Sequence, residues 1–590
     1  MANIFLANSR IQKLKKLSVL SREIIKEFGM RYFLRICFEE IKKQKLSIFS
    51  PDKTPRFDFD EFLSDYDSFK KKHMMANSLD LMKKNISTFS KKPRFTFLLI
   101  NNGTSIQNIT ESISSILNQS YENFDLHLVN CPYSIMDNLS EINPKIPLKE
   151  INSNKLDEII SKIQGEFVVI LHSGIAVQDD LLYRIAKEFN QNPDSDVFYT
   201  DEDYLDENNV ATNVFFKPDW SPYLFHSMNY LGDLCIVRKN LIEQVPDLNV
   251  TQNDLLYELI LRCYEITDKF SHVPHVLFSS KKTPSSESSE YVKSVMSNHL
   301  KKLGKNANVN DGLIPGTYRV RYILDSEPKV SIIIPTKDKK NLLKRCIDSI
   351  ENNTSYKNWE IIIVDNDSKN PETTSYLKSL PYKIIPYTEL FNFSKMNNLA
   401  VTQATGDYLL FLNDDTAAID PDWLTEMVSI CQQDDVGAVG PKLVHSDNTI
   451  QHAGMVFLKT GAGFHPFQRY QEDDPGYFNF INVIRDLSAV TGACLLTKKE
   501  IFEKVGEFDN DFDLYYGDSD LCLKIRDSGF KIVYTPYAKL LHDGSSSIRK
   551  HTSAFFAVEN HQHFIKKWPH LKNGDPFYNP NLGWNYQIGK

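Results

Sequence analysis

Long apolar runs are missing from this chain of 590 residues. No stretch of eighteen or more apolar residues occurs, and the N-terminus lacks a compact apolar core followed by a cleavage site. We therefore expect neither a membrane span nor a signal peptide. The expected location is the cytoplasm, and peripheral contact with the inner face of the cell membrane stays open.

Three further absences exclude common kinds of site. The eight cysteines form no CxxC pair, which argues against a disulfide framework and a structural zinc site. Neither GxGxxG nor GxxxxGKS/T is present, so neither a Rossmann dinucleotide loop nor a P-loop supplies phosphate contacts. An excess of basic residues is lacking too, since the net charge is −8, and we expect no nucleic-acid partner.

What is present is an ordinary globular composition, with 41% hydrophobic and 24% charged residues, in a chain long enough for two or three domains. Residues 1–50 carry eleven Lys or Arg and four Glu, and apolar residues recur every four positions from Leu20 to Ile36. This pattern predicts an amphipathic helix with a basic polar face. Such a helix can lie on an anionic membrane surface or pack on the following domain, and the sequence leaves both open.

From Phe95 onward, short apolar strands alternate with helical stretches, which indicates an α/β fold with a mostly parallel sheet. The pattern then occurs a second time. FTFLLINN at 95–102 aligns with VSIIIPTK at 330–337, and GEFVVILHSG at 165–174 aligns with GDYLLFLNDD at 406–415. A repeat of this length indicates two tandem copies of one domain. The predicted organisation is a basic helical region at 1–90, a first domain at 91–285, a linker at 286–327, a second domain at 328–570 and a C-terminal tail at 571–590.

In the second copy, polar side chains follow three successive strands. VSIII ends at Pro335, Thr336 and Asp338, IIIV ends at Asp365, Asn366 and Asp367, and YLLFL ends at Asn413, Asp414 and Asp415. Ligands of open α/β sheets bind outside the carboxyl ends of strands, so these groups are predicted to line one crevice. Carboxylates placed there can hold a divalent ion against the diphosphate of a nucleotide sugar. An Asx turn after each strand is the alternative interpretation.

A second acidic pair, Asp518 and Asp520, opens an amphipathic helix in YYGDSDLCLKI. Carboxylates in a first helical turn are stabilised by the helix dipole, so simple N-capping is one interpretation. The other is a general base that takes the proton from an acceptor hydroxyl. His542 ends the next strand, and an imidazole beside carboxylates is a candidate third metal ligand.

The ordered motifs PTKD, VDNDS, LLFLNDDT, LSAVTGACLL, YYGDSDLC and LLHDGSS resemble those of the family 2 glycosyltransferases with the GT-A fold. The resemblance covers nearly all of residues 328–582, and YTDEDYLD and FKPDWSPYLFHSMNYLG extend it to the first copy, as in two-domain bacterial members that build surface polysaccharides. It implies two tandem GT-A domains and a single displacement with inversion at the sugar. FIKKW stands where processive synthases carry QxxRW, so we do not expect long-chain polymerisation.

The resemblance also implies roles for single residues. Asp518 would be the catalytic base, and Asp415 and His542 would ligate Mn²⁺ or Mg²⁺. The residues expected to bind the donor, with Asp365 at the nucleobase, are Pro335, Thr336, Asp338, Asp365, Asp367, Asn398 and Asp414. Two positions depart from the commonest family pattern, since Asn413-Asp414-Asp415 stands for Asp-x-Asp and Gly517 precedes the base where Glu is frequent. Neither departure removes a required carboxylate.

The first copy lacks these groups. Asn130 stands opposite Asp365, His172-Ser173-Gly174 opposite Asn413-Asp414-Asp415, Leu256 opposite Asp518, and Ser279 or Ser280 opposite His542. Since all four changes delete charge or ligation, we predict an inactive first domain that serves as a scaffold or an acceptor-binding surface. Its remaining acidic cluster, Asp201-Glu202-Asp203, could still bind a cation or a sugar.

The predicted function is a metal-dependent inverting glycosyltransferase that moves a sugar from a UDP- or dTDP-sugar to a growing surface glycan, such as O-antigen or capsule, on a lipid carrier. A catalytically inactive glycan-binding scaffold and a sugar nucleotidyltransferase are the alternatives. The scaffold would lack the acids of the second copy, and the nucleotidyltransferase would carry glycine in the loop PTKDKKNLLK. Two pairs remain. His452 and His465 could line the acceptor side or lie in a flexible glycine-containing loop, which we favour, and Arg485 and Asp486 could contact donor or acceptor.

Overall fold

The computed structural model describes residues 59–75, 79–101, 103–131, 148–252, 254–281, 289–324, 326–542 and 554–588. The basic amphipathic helix predicted within residues 1–50 lies outside these ranges. The chain divides into a small unit, Met1–Pro55 with Ser545–His563, and a large unit, Arg56–Gly544 with Phe564–Lys590. Of the small unit, only residues 554–563 are described, as part of a helix. Apart from these residues of that helix, all features below belong to the large unit.

The described residues form α-helices, β-strands and short 3₁₀ segments. The helices are α1 Phe59–Met75, α2 Leu79–Thr88, α3 Ile106–Leu117, α4 Leu156–Ile160, α5 Leu181–Gln191, α6 Pro222–Ser227, α7 Lys239–Ile242, α8 Leu255–Tyr264, α9 Glu290–Lys302, α10 Lys340–Asn352, α11 Pro371–Ser379, α12 Phe393–Val401, α13 Trp423–Cys431, α14 Lys499–Lys504, α15 Gly517–Asp527 and α16 Ala554–Lys567. The 3₁₀ segments are Tyr477–Asn479, Pro569–Asn573 and Trp584–Tyr586. Within this part of the chain, no helix is long and apolar enough to span a bilayer.

The strands form two large sheets, one in each copy of the repeat, and two small two-stranded sheets. They are β1 Phe95–Ile100, β2 Phe124–Val129, β3 Leu148–Ile151, β4 Phe167–His172, β5 Ile175–Val177, β6 Val197–Leu205, β7 Ala211–Phe215, β8 Leu234–Arg238, β9 Phe270–Ser280, β10 Ala307–Asp311, β11 Tyr318–Tyr322, β12 Val330–Thr336, β13 Trp359–Asp365, β14 Lys383–Pro386, β15 Tyr408–Leu412, β16 Thr416–Ala418, β17 Val436–Val444, β18 Ile450–His452, β19 Val456–Phe457, β20 Gly463–Phe464, β21 Arg485–Leu487, β22 Cys494–Lys498 and β23 Lys531–His542.

The two sheets have the same strand order. The first runs β3-β2-β1-β4-β8-β6-β9-β5, and the second runs β14-β13-β12-β15-β22-β17-β23-β16. Each strand of the first sheet therefore has a counterpart at the same place in the second, as the aligned sequences require. The predicted α/β class is confirmed. We call the parts built on these sheets the first and the second domain.

Register in the second sheet brings the predicted site residues to one edge. β12 lies between β13 and β15 and is parallel to both, so the carboxyl ends of all three strands meet. On the far side of the sheet order, β16 pairs antiparallel with β23, and Thr416 lies opposite His542. The histidine that ends β23 is therefore placed beside the residue that follows Asp415.

The two domains share an extensive buried interface. One continuous cluster of buried apolar residues spans both domains and includes Tyr199 and Tyr534. The carboxylate of Asp486 accepts hydrogen bonds from the Ser221 hydroxyl and, at 3.0 Å, from the Tyr223 amide, both at the start of α6. Asp486 thus joins the second domain to the first, and its sequence interpretation as a donor or acceptor contact is wrong.

The guanidinium of Arg485 is also structural. It is 2% exposed and donates to the carbonyls of Phe480 at 2.9 Å and Ala453 at 2.6 Å. A charged group buried in this way is retained only with such partners. The interpretation of Arg485 as a donor or acceptor contact is therefore wrong as well.

The acidic cluster of the first domain is internal. Asp201, Glu202 and Asp203 are each no more than 3% exposed. Asp201 accepts hydrogen bonds from the Lys217 amide, the His272 imidazole and the Asn579 amide. Glu202 accepts from the Tyr204 hydroxyl. Asp203 accepts from the hydroxyls of Tyr66 and Ser279. Because these hydrogen bonds satisfy the three carboxylates inside the fold, the prediction that the cluster could bind a cation or a sugar is wrong.

The C-terminal tail contacts both domains. Asn579 donates to Asp201 at 3.0 Å and to the Lys217 carbonyl at 2.9 Å, 378 and 362 residues away in sequence. Asp575 accepts from the Phe457 amide at 2.8 Å in the second domain. The tail therefore bridges the two domains.

We predict that stability depends on the protonation of His272. Its two ring nitrogens lie 2.9 Å from Asp201 and 3.0 Å from Asp219, so both donate and the ring is cationic. Burial alone would lower the pKa of this imidazole, but the charges and hydrogen bonds of the two carboxylates raise the pKa to about 9. In the unfolded chain the pKa is about 6.5. The stabilisation is therefore complete below about pH 6.5 and is lost as the pH rises through 9.

Urea unfolding of the wild type and His272→Gln from about pH 6 to about pH 10 measures this effect. The wild type should lose on the order of 3 kcal/mol of its advantage across that range. A difference between the two proteins that does not change with pH would contradict the charged assignment.

Candidate active site

Two adjacent buried carboxylates stand at the carboxyl end of β15. Asp414 is 6% exposed and Asp415 is 7% exposed. The hydroxyl of Thr336, the last residue of β12, donates to Asp414 at 2.8 Å. The Lys339 ammonium lies 3.6 Å from the same carboxylate. Residues from two neighbouring strand ends thus hold one acidic centre.

The two carboxylates differ in their proton affinity. Burial, together with the charge of Asp415, raises the pKa of Asp414 to about 6 against the opposing charge of Lys339. Burial would also raise the pKa of Asp415, but the hydrogen bond and charge of His542 hold that pKa below its ordinary value. The imidazole Nε2 of His542 lies 3.2 Å from Asp415 Oδ1. Asp415 is therefore the more acidic carboxyl of the pair.

Asp415 and His542 fit as ligands of one divalent ion. Neighbouring ligands of an octahedral ion with bonds of roughly 2.1 Å are roughly 3 Å apart, which matches the observed 3.2 Å. The carboxylate oxygen suits magnesium or manganese, and imidazole is a common ligand of metal ions in proteins. Among the described residues, no group of three or more His, Cys, Asp or Glu side chains could hold a metal ion. A metal here would need further ligands from a bound substrate or water.

The loops after β12 and β13 are tied together by acidic side chains. Asp338 accepts from the amides of Lys369 and Asn370, each at 2.7 Å. Asp365, at the end of β13, accepts from the Ser368 amide at 3.1 Å. Asp338 and Asp367 both have left-handed backbones, with φ of 54° and 55°. Asp tolerates this conformation, and such strain clusters at functional sites.

The remaining predicted donor residues flank this edge. Pro335 lies in β12 opposite Val364 of β13 and is half-buried. Asn398 lies on α12, where its amide donates to the Phe508 carbonyl at 2.9 Å and accepts from the Phe508 amide at 3.1 Å. Asn398 thus holds the segment at residue 508. Its contact with a donor stays a prediction.

Asp518 opens α15 with its carboxylate fixed in place. One oxygen accepts from the Gly492 amide at 2.8 Å, and the other accepts from the Ser519 amide at 2.7 Å. Burial raises the pKa of this carboxyl despite those hydrogen bonds. Tyr516, the N-cap residue two positions before Asp518, has a left-handed φ of 66°. A half-buried carboxylate with a raised pKa and a fixed orientation is suited to accept a proton.

The second acid of that helix has a different role, which the sequence interpretation missed. Asp520 is fully buried and accepts from the Trp568 indole at 2.9 Å, while the Lys567 ammonium lies 2.8 Å away. These bonds fasten α15, and with it Asp518, to the end of α16. In the sequence, the only indication of this contact is Trp568, a large residue that is often buried, 48 positions from Asp520.

His452 and His465 also differ from expectation. His452 ends β18 and is fully buried, and the Nδ1 atoms of the two rings are 2.8 Å apart. Burial lowers the pKa of His465 to about 4. The pair is an ordered contact, so its assignment to a flexible loop is wrong.

The counterpart edge of the first domain carries no such centre. Ser280 pairs with Ile175 in β5 as His542 pairs with Thr416 in β16, which identifies Ser280 as the counterpart of His542. Ser173 and Gly174 follow β4 where the acids follow β15. Leu256 is 5% exposed on α8, the counterpart of α15. Catalytic inactivity of the first domain remains a prediction.

Comparison with known proteins identifies related sequences. Residues 331–506 match the family described as Glycosyl transferase family 2. Uncharacterized protein y4gI of Sinorhizobium fredii is 33% identical over 509 residues, 80% of this chain and 56% of its own. O-antigen biosynthesis protein RfbC of Myxococcus xanthus is 32% identical over 523 residues, 84% of this chain and 41% of its own. The chain thus spans about half the length of these two relatives.

A shorter match involves an enzyme with a named reaction. GalNAc(5)-diNAcBac-PP-undecaprenol beta-1,3-glucosyltransferase of Campylobacter jejuni is 34% identical over 100 residues, 15% of this chain and 30% of its own.

We predict that Trp568→Phe weakens both the fold and the site. The variant keeps the apolar ring but removes the indole donor to the buried Asp520 carboxylate. The free energy of unfolding should fall by about 1–3 kcal/mol, as measured by urea unfolding. The matched control is Trp584→Phe, because Trp584 is 46% exposed and its indole nitrogen has no hydrogen-bond partner in the described part of the chain. Equal effects of the two substitutions would contradict the anchoring role.

Proposed function

We propose an activity from one premise: through residues 331–506, this chain belongs to glycosyl transferase family 2. The proposed activity is metal-dependent transfer of a sugar, with inversion, from a nucleotide-sugar donor to a hydroxyl of a growing surface glycan. The relative named for O-antigen biosynthesis supports the glycan class. The relative whose name contains PP-undecaprenol supports a lipid-linked acceptor.

One observation carries the proposal. Asp414 and Asp415 are buried at a strand end in the second domain, whereas the same strand end in the first domain carries Ser173 and Gly174. Since both sheets fold with the same strand order, the fold does not require the acids. Burying two carboxylates costs several kcal/mol before partners offset the loss of hydration. Function is the reason we infer for their retention.

Donor binding falls to the strand-end residues of the second domain. Asp415 and His542 would hold Mn²⁺ or Mg²⁺, which when bound neutralises the charge of the donor diphosphate. Thr336 fixes Asp414 beside them through its 2.8 Å hydrogen bond. Asp338 fixes the loop that carries Asp365 and Asp367, so that these groups meet the nucleoside in one orientation. We propose a UDP- or dTDP-sugar as the donor.

Asp518 supplies the base. Its carboxylate takes the proton of the acceptor hydroxyl while that oxygen forms a bond to the anomeric carbon. The bond from that carbon to the diphosphate breaks on the opposite face, so the configuration inverts. The raised pKa of Asp518 makes it a stronger base than an exposed carboxylate. Its two backbone hydrogen bonds hold it in position without a moving side chain.

We predict that Asp518→Asn abolishes transfer and spares donor binding. The amide keeps the shape of the side chain but cannot take a proton, so kcat should fall by a factor of about 10² to 10⁴. Donor affinity, measured by thermal shift with Mn²⁺ and a panel of nucleotide sugars, should stay within about twofold. Asp527→Asn, at the exposed end of the same helix, is the control. Retained turnover in Asp518→Asn would remove this residue as the base.

We further predict that activity needs a divalent ion held by Asp415 and His542. Chelation should stop transfer, and Mn²⁺ should restore it. Asp415→Asn and His542→Gln should each weaken Mn²⁺ binding at least about tenfold by calorimetry in the presence of nucleoside diphosphate. The exposed Asp434→Asn variant should bind as the wild type does. Undiminished turnover in chelator would contradict the metal requirement.

A further inference from the structure

The first domain keeps an open crevice where the second domain has its candidate active site. The crevice has a volume of about 430 Å³ and is lined at the ends of β1, β4 and β9 by residues that include Asn101, Ser173 and Ser280. These are the positional counterparts of Thr336, Asp414 and His542. The size falls within the range of roughly 300–1,000 Å³ typical of small-ligand sites.

The walls of the crevice are fixed by internal hydrogen bonds. The hydroxyls of Thr104 and Ser173 lie 2.6 Å apart and link the ends of two strands. The Gly174 amide donates to the Ser112 hydroxyl of α3 at 3.0 Å. Asn101 donates to the Asn130 carbonyl at 3.1 Å. The crevice is therefore pre-formed, which lowers the cost of ordering it on binding.

Its charge does not suit a nucleotide diphosphate. The lining contains one carboxylate, Asp233, and one ammonium, Lys281, which is already paired with Glu111 at 2.8 Å. The acidic pair and the histidine of the second domain are replaced here by Ser173, Gly174 and Ser280. Within the described ranges no side chains are grouped to hold a metal. An anionic ligand would thus find neither a metal site nor an unpaired lysine among the residues that line the crevice.

Uncharged hydrogen-bonding groups make up most of the remaining polar lining. The side chains of Asn108 and Gln252 are half-buried and have no hydrogen-bond partner among the described residues. The same is true of the Asp233 carboxylate. Each amide offers both donors and acceptors, and a carboxylate accepts from hydroxyls. Such a set matches a ligand that is neutral and rich in hydroxyl groups.

We propose that this crevice of the first domain binds a neutral saccharide without a metal ion. Asn108, Gln252 and Asp233 form hydrogen bonds to its hydroxyls against the rigid wall of Thr104 and Ser173. The saccharide is a segment of the glycan that the second domain extends, and this identification of the glycan rests on the proposed function. The first domain then holds the acceptor chain while the second acts on its end.

The test measures binding without donor or metal. The probe is the set of uncharged di- to tetrasaccharides prepared from the surface polysaccharide of the strain that makes this protein. Calorimetry is done on the full chain in EDTA. The wild type should bind one equivalent, and the double variant Asn108→Ala/Gln252→Ala should bind at least about tenfold more weakly. The control Gln191→Ala/Asn208→Ala, on the exposed surface of the same domain, should match the wild type.

A second comparison separates the two domains. Asp415→Asn and Asp518→Asn should bind the saccharides as tightly as the wild type, because those residues lie in the second domain. The proposal is overturned if the wild type binds no member of the set, if the Asn108/Gln252 variant binds unchanged, or if the Asp518 variant loses binding. Since no turnover is measured, failure here leaves the transferase activity untouched, and failure of transfer leaves this result untouched.

Discussion

Two carboxylates held side by side out of water at the end of β15 are the constraint on which the second domain depends. Each loses hydration on burial, and their charges repel one another. Groups from separate strands offset this cost. They are Thr336 at the end of β12, Lys339 in the loop after it, and His542 at the end of β23. The sheet register that brings β16 beside β23 is thus a requirement of the site as well as of the core.

The first domain shows what the same sheet does without this constraint. Its counterpart strand end carries no carboxylate, and inside the domain Asp201 accepts hydrogen bonds from His272 and from Asn579 of the tail. In the second domain, Asp414, Asp415 and His542 gather at a strand end, whereas in the first domain the Asp201–His272 pair lies at the contact with the tail. The repeated fold therefore carries two electrostatic arrangements, and the proposed centre for a metal and a diphosphate lies in the second domain.

The alternation of apolar strands and the alignment of the two copies predict the α/β class and the repeated strand order. The placement of Asp414 and Asp415 at a strand end also follows from sequence, because a buried strand and its successor are local features. Contacts between distant segments do not follow. The bond from Trp568 to Asp520 and that from Asn579 to Asp201 join segments that no local pattern relates. The prediction that Arg485 and Asp486 contact donor or acceptor was wrong for the same reason, because burial between distant segments leaves no periodic pattern in the sequence.

The central claim is that one of the two copies binds a nucleotide donor. The most direct measurement is the number of nucleoside diphosphate molecules, chosen from UDP, dTDP and GDP, that the full chain binds in calorimetry with Mn²⁺. We expect a single equivalent that is lost in Asp415→Asn and kept when Ser173 is changed to Ala. Two equivalents per chain, or one that survives Asp415→Asn, would contradict the assignment of the donor site to the second domain.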